Sequence, residues 1–172
     1  YAKTGLDPAL KNHINFIPFK NTDTNQYGIG FIEGYIGKQI IATKYGLNPP
    51  DNIVCELVYK NDEFKPIKKT PSNKIEGYQF DIPQPFDRGE VKGAFYYFVY
   101  ANNPEKNSLV IMDKKAIDKR KPKFASPEFW GGEKDEWKNG RKTGHKILVE
   151  GWYEEMALKT VKRTAWGSIP ID

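Results

Sequence analysis

Lys159, Lys162 and Arg163 stand at i, i+3 and i+4 in the stretch 151–172, which reads GWYEEMALKTVKRTAWGSIPID. At a helical advance of roughly 100° per residue, these cations and Trp166 share one side of a cylinder. Tyr153, Ala157, Leu158, Thr160, Val161, Thr164 and Ala165 share the other. Cations on a rigid helical face suit no covalent chemistry, but they do suit the grip of a phosphate backbone. The alternative is a solvated lysine face. Here only Glu155 is placed to neutralise the cations, because Glu154 falls on the other side. Small residues such as Ala157, Thr160, Thr164 and Ala165 let the helix lie close against a sheet, which holds the basic face rigidly toward solvent.

Other constellations in the chain compete with this one. Asp81 followed by Glu90-Val91-Lys92 has the residue types with which metal-dependent nucleases hold Mg²⁺ near a lysine, yet no histidine or further carboxylate is placed to complete the site. Gly34-Tyr35-Ile36-Gly37-Lys38 resembles part of a phosphate loop. The first glycine of that motif would fall at Ile32, however, and Gln39 stands where Ser or Thr should bind Mg²⁺, so nucleotide hydrolysis is not expected. Cys55 is alone and His13 and His145 lie far apart, so the expectation is no disulfide, no zinc site, no cofactor and a reducing intracellular home. With 27 basic and 22 acidic residues the net charge is +5, which favours a polyanionic partner. A membrane surface fits less well, because the face opposite Lys159 and Arg163 lacks bulky apolar residues and no run approaches transmembrane length. A basic phage structural protein remains a third reading.

The elements that must position these residues follow from periodicity. At 172 residues and 38% apolar content the chain can bury one core, so one domain over 1–172 is expected. The start at Tyr1, without an initiator methionine, suits a piece of a longer chain. Asp7-Pro8 predicts a short helix to about residue 13, and 14–19, broken by Pro18, an edge strand or extended segment. Residues 21–26 read as a loop. Apolar residues at helical spacing predict a helix over 30–45 in which Gly34 and Gly37 permit close approach of another backbone. A period of two predicts strands over 53–59 and 64–68 joined as a hairpin, a third over 75–82, an aromatic-rich strand over 90–100 and another over 108–112. The rings of 95–100 outnumber what one sheet face can bury, which suggests that some complete a neighbouring copy's core. Asp113 caps a short helix carrying Lys114, Lys115, Lys119 and Arg120. Residues 121–149, without clean period, read as a mobile loop. There Phe124, Phe129, Trp130 and Trp137 lie among lysines and either stack on bases or anchor the loop to the core. The fold class is α+β, an antiparallel sheet with hairpins packed against two main helices.

Four blocks in order carry a family resemblance. They are Gly34-Tyr35-x-Gly37 with Ala42, Lys44 and Gly46; Val58-Tyr59; Asp87-Arg88-Gly89-Glu90-x-x-Gly93-Ala94; and Glu155-Met156-Ala157-x-Lys159-Thr160-Val161-x-Arg163 before Ser168-Ile169-x-Ile171-Asp172. From residue 14 to 172 the chain resembles the RecT family of phage single-strand annealing recombinases, distant relatives of lambda Red beta. The resemblance implies a Rad/Red-beta-like annealing core in a bacterial host cytoplasm. Such a core coats single-stranded DNA, pairs it without ATP into an annealed duplex intermediate and assembles into rings or helical filaments. A cognate exonuclease would bind through a region beyond this core. The chain departs from the family's Gly-Tyr-Lys-Gly pattern at Ile36, and whether Lys38 substitutes is open. Lys159 and Arg163 are the first candidates for phosphate contacts, Lys162 and Lys44 the next, and Lys92, Arg88, Lys114 and Lys115 candidates along a groove edge.

Overall fold

The structure is a computed structural model that describes residues 2–123 and 125–172, the side chain of Ala2 excepted. Strands β1 (Ile14–Lys20) and β2 (Tyr27–Glu33) form an antiparallel ribbon with Phe16 opposite Phe31 and Pro18 opposite Ile29. Pro18 is tolerated because a two-stranded ribbon is all edge. Its turn is closed by the Asn21 side-chain oxygen, which accepts from the Asp23 and Thr24 N–H groups, and by Asn25 in the left-handed region at φ 56°.

Helix α1 (Tyr35–Tyr45) begins five residues later than periodicity predicts. Phe31 and Ile32 belong to β2, and their helical spacing with Tyr35 and Ile36 is coincidental. The glycines of this block do what was expected of them. A Cβ on Gly34 would collide with the Asn12 carbonyl and one on Gly37 with that of His13, so the chain preceding β1 lies directly on the first turn of α1. The short helix expected from Asp7 is instead a series of turns, in which the Asp7 carboxylate accepts from the Ala9 N–H.

Strands β3 (Asn52–Tyr59), β6 (Val91–Val99) and β7 (Ser108–Asp113) make a three-stranded antiparallel sheet in the order β3-β6-β7. The expected hairpin of β3 with β4 (Glu63–Ile67) does not form. The chain does turn after Tyr59, but β4 pairs with β5 (Gly77–Asp81) in a separate ribbon that folds over the sheet. Phe95 of β6, fully buried, stacks on Phe64 at 4.7 Å and meets Tyr78 at 4.5 Å and Phe80 at 5.4 Å. Glu76 fastens that ribbon to the sheet by accepting the Leu109 N–H at 2.6 Å.

Ala94, Tyr96 and Phe98 of β6 face the other way, onto the helices. Both sides of β6 are therefore covered within one chain, and its rings are no surplus awaiting a neighbour. α2 (Lys114–Asp118) buries Ile117 in the helix-side core, capped by Asp113 as expected. α3 (Pro127–Trp130) is followed by a second free-standing ribbon, β8 (Gly132–Lys138) with β9 (Arg141–Val149), where sequence shows no period. Charged side chains on both faces of that ribbon erase the alternation. α4 (Tyr153–Gly167) lays Ala157, Val161 and Ala165 on the sheet, all fully buried. Among the described residues the result is α+β, with three two-stranded ribbons, a three-stranded antiparallel sheet and a helix layer in which α1 packs on α4.

Candidate nucleic-acid interface

The N-terminal turn of α1, the base of the β1–β2 ribbon, the segment after α2 and one side of α4 enclose a cleft of about 480 Å³. Lys159 and Arg163, one turn apart on α4, line it together with Met156, Thr160 and Thr164. The two threonines turn their hydroxyls back onto the carbonyls one turn earlier, at 2.8 Å each, and present methyl groups. They belong to the cleft and not to the sheet face that the helical wheel assigned them. Ile32, Tyr35 and the buried Trp130 add apolar lining. Arg120, beyond α2, also lines the cleft, its guanidinium donating to the Ala116 carbonyl at 2.7 Å. Its sequence position beyond α2 carried the charge but not the direction, so it was absent from the first candidates.

The electrostatics of this cleft are one-sided. Lys159 has only a long contact, 3.9 Å, to Glu155, and among the described residues no carboxylate pairs with Arg163. Glu33, the acid in the wall, is engaged by Lys38, so Lys38 is spent as a free cation there. Gly34 caps α1 without a side-chain hydrogen bond, and the Asn12 carbonyl of the preceding chain accepts from the Gly37 N–H of the first turn. Cations with no close carboxylate partner over an apolar floor can hold a phosphate while a base or sugar rests on the floor.

The remaining candidates lie elsewhere or are engaged. Lys162 faces the Tyr35 ring at 5.5 Å, at the flank of the cleft. It also sits near Cys55, whose thiol burial pushes up to about 11 against the lysine's opposing charge. Trp166, grouped with the cations by the helical wheel, is buried against Ala42 and Ile169. Its ring is long enough to reach under the C-terminal segment, where it packs with Ile169. Lys44, at the far end of α1, donates to the Thr4 carbonyl at 3.2 Å and pins the N-terminal segment.

Arg88 is locked. Its Nε and one terminal nitrogen bond Asp62 at 2.9 and 2.6 Å, the same nitrogen bonds the Leu57 carbonyl at 3.1 Å, and the guanidinium lies 4.0 Å from the Tyr59 ring centre. The hydrogen bonds from Arg88 hold Asp62 below the usual carboxylate range, and those to Asp62 raise Arg88 in turn. Lys92 pairs with Glu90 at 2.7 Å. Lys114 pairs with Asp118 at 2.8 Å beneath the Tyr153 ring, and that hydrogen bond raises it. Lys115 is exposed on α2.

The aromatic lysine-rich segment divides. Trp130 is an anchor, edge-on to Tyr153 at 6.0 Å, whereas Phe129 and Trp137 are exposed, and Phe124 lies outside the described residues. The nuclease constellation does not assemble. Asp81 sits opposite Glu63 on the β4–β5 ribbon, Glu90 is tied to Lys92, and among the described residues no group of three potential metal ligands converges. Nor is any helix of the described residues long and apolar enough to cross a membrane.

Comparison with curated proteins gives no match. The RecT family model, by contrast, matches residues 1–171, nearly the whole chain. This chain therefore belongs to the RecT family, whose members are single-strand DNA-annealing proteins of phage recombination and not catalytic enzymes.

Proposed function

We propose that residues 1–172 work as one annealing domain that grips the backbone of single-stranded DNA in the α4 cleft and pairs it with a complementary strand without ATP. The observation that carries this reading is the convergence of Lys159, Arg163 and Arg120 on one apolar-floored cleft. Lys162 extends the cationic side. Lys115 would act as an edge contact, joined by Lys114 and Lys92 once strand entry displaces their weak exposed pairings. Arg88 and Lys44 serve the fold.

A protein that anneals arbitrary sequences must leave Watson–Crick edges free, so contacts to phosphate and sugar fit the task and sequence readout does not. Self-association into rings or helical filaments would align successive clefts along one strand. A cognate exonuclease would dock outside this segment, and the work would take place in the cytoplasm of a bacterial host. Mixing two complementary oligonucleotides with the protein and no nucleotide tests the reading. Faster annealing than in buffer is expected, while cleavage of either strand in the presence of Mg²⁺ would overturn it.

A further inference from the structure

The cations of the cleft cannot tell one nucleic acid from another, because RNA and DNA present the same phosphate. What lies beside the cations can. The sugar is bonded directly to the gripped phosphate and carries the 2′-hydroxyl, the group by which a protein separates the two polymers. On α4 each of these cations is followed by a threonine, Lys159 by Thr160 and Arg163 by Thr164, and all four residues line the cleft. The Thr160 hydroxyl donates to the Met156 carbonyl and the Thr164 hydroxyl to the Thr160 carbonyl, each at 2.8 Å. A hydroxyl turned back in this way lies along the helix backbone and leaves its methyl outermost. Met156, Thr160 and Thr164 stand at i, i+4 and i+8, so they form an apolar row running beside the row of Lys159 and Arg163.

We infer that this apolar row is a sugar platform that accepts deoxyribose and penalises ribose, so that Thr160 and Thr164 make the cleft discriminate against single-stranded RNA. A C2′ methylene packs on a methyl at no polar cost. A 2′-hydroxyl pressed there loses water and meets neither a donor nor an acceptor in exchange. Other polar groups of the cleft do not supply the missing partner. Glu33 is taken up by Lys38, and the Asn12 and Asn15 amides belong to the chain entering β1, not to the helix along which the backbone is held. A closed apolar pocket rejects an added hydroxyl by about a hundredfold, and a cleft that leaves one side of the sugar wet should reject it by about tenfold.

The discrimination rests on the cleft's grip of a backbone, and its test separates the two. Competition anisotropy measures the affinity of the full chain for uracil oligomers that share bases and phosphates and differ at the sugar, in deoxyribose, ribose and 2′-fluoro forms. The ribose strand should bind about tenfold more weakly than the deoxyribose strand. The 2′-fluoro strand keeps a ribose-like ring pucker without a hydroxyl, and should bind like the deoxyribose strand. Thr160→Ser with Thr164→Ser removes both methyls and lets water reach the 2′ position, which should narrow the deoxyribose-to-ribose ratio by at least about threefold. Equal affinity of the parent for the deoxyribose and ribose strands overturns the inference and leaves the grip standing, while failure to bind either strand removes both. A 2′-fluoro strand bound as weakly as the ribose strand assigns the preference to ring pucker and overturns the inference. So does a serine variant whose ratio equals that of the parent.

Discussion

Arg88 and Arg163 belong to the same basic chain, and their surroundings are opposite. Arg88 spends its guanidinium on Asp62, on the Leu57 carbonyl and on the Tyr59 ring, bracing the turn after β3 to the segment before β6. Arg163 stands exposed in a cleft beside Lys159, with no carboxylate partner among the described residues. The difference teaches that net charge locates nothing by itself. What a cation offers a phosphate is what remains after its neighbours have been satisfied, and only the folded arrangement shows the remainder.

The largest expected effect falls on the locked pair. Arg88→Ala leaves the Asp62 carboxylate, whose side chain is 1% exposed, without its partner, and should cost about 3 kcal/mol of stability in urea or thermal unfolding. The single-stranded DNA affinity of molecules that remain folded should hardly change. If affinity collapses while melting is untouched, Arg88 is a DNA contact and the comparison fails.

Packing beneath the cleft gives the next effect. Ala157, fully buried against the sheet, accepts no extra volume, so Ala157→Leu should lower stability by about 1–3 kcal/mol in a denaturant melt. The charge on the other side of the helix is left as it is.

Acid titration then sharpens the contrast. Asp62 titrates lower in the folded chain than when unfolded, so between those two values the unfolded state binds the proton more readily. The pair's contribution is therefore complete above about pH 4, the ordinary carboxylate value, and fades as pH falls through the lowered folded value. Melting temperature followed from pH 5 downward should fall more steeply for the parent than for Asp62→Asn. Parallel curves would show that the pair contributes nothing there.

Much of this was legible in advance, and the misses have physical causes. The terminal helix, its small buried face and the Lys159–Arg163 pair were readable because spacing on a regular helix fixes direction. Gly34 and Gly37 announced a close backbone approach. The sheet partner of β3 was not readable, because a favourable turn after Tyr59 says nothing about which strand buries Phe95 better. Trp166 was misplaced because a wheel gives an angle and not the reach of a ring. Arg120 was passed over because its side chain is aimed by the packing of Ile117, a tertiary fact. The two free-standing ribbons differ likewise. β8–β9 carries cross-strand ion pairs such as Lys142 with Asp135 and Lys146 with Glu133, which water accepts, whereas β1–β2 carries rings.

Among the cleft cations, Arg120→Ala should have the smallest effect, flattening the salt slope by about 0.7 for one lost phosphate contact. The central claim rests on the helix pair. Single-stranded DNA affinity measured by fluorescence anisotropy over a series of salt concentrations, for the parent and for Lys159→Ala with Arg163→Ala, tests it directly. The slope of log affinity against log salt should flatten by about 1.4 in the double variant, with thermal melting unchanged. An unchanged slope, with melting far below the parent, would make Lys159 and Arg163 structural residues and place the DNA on another face.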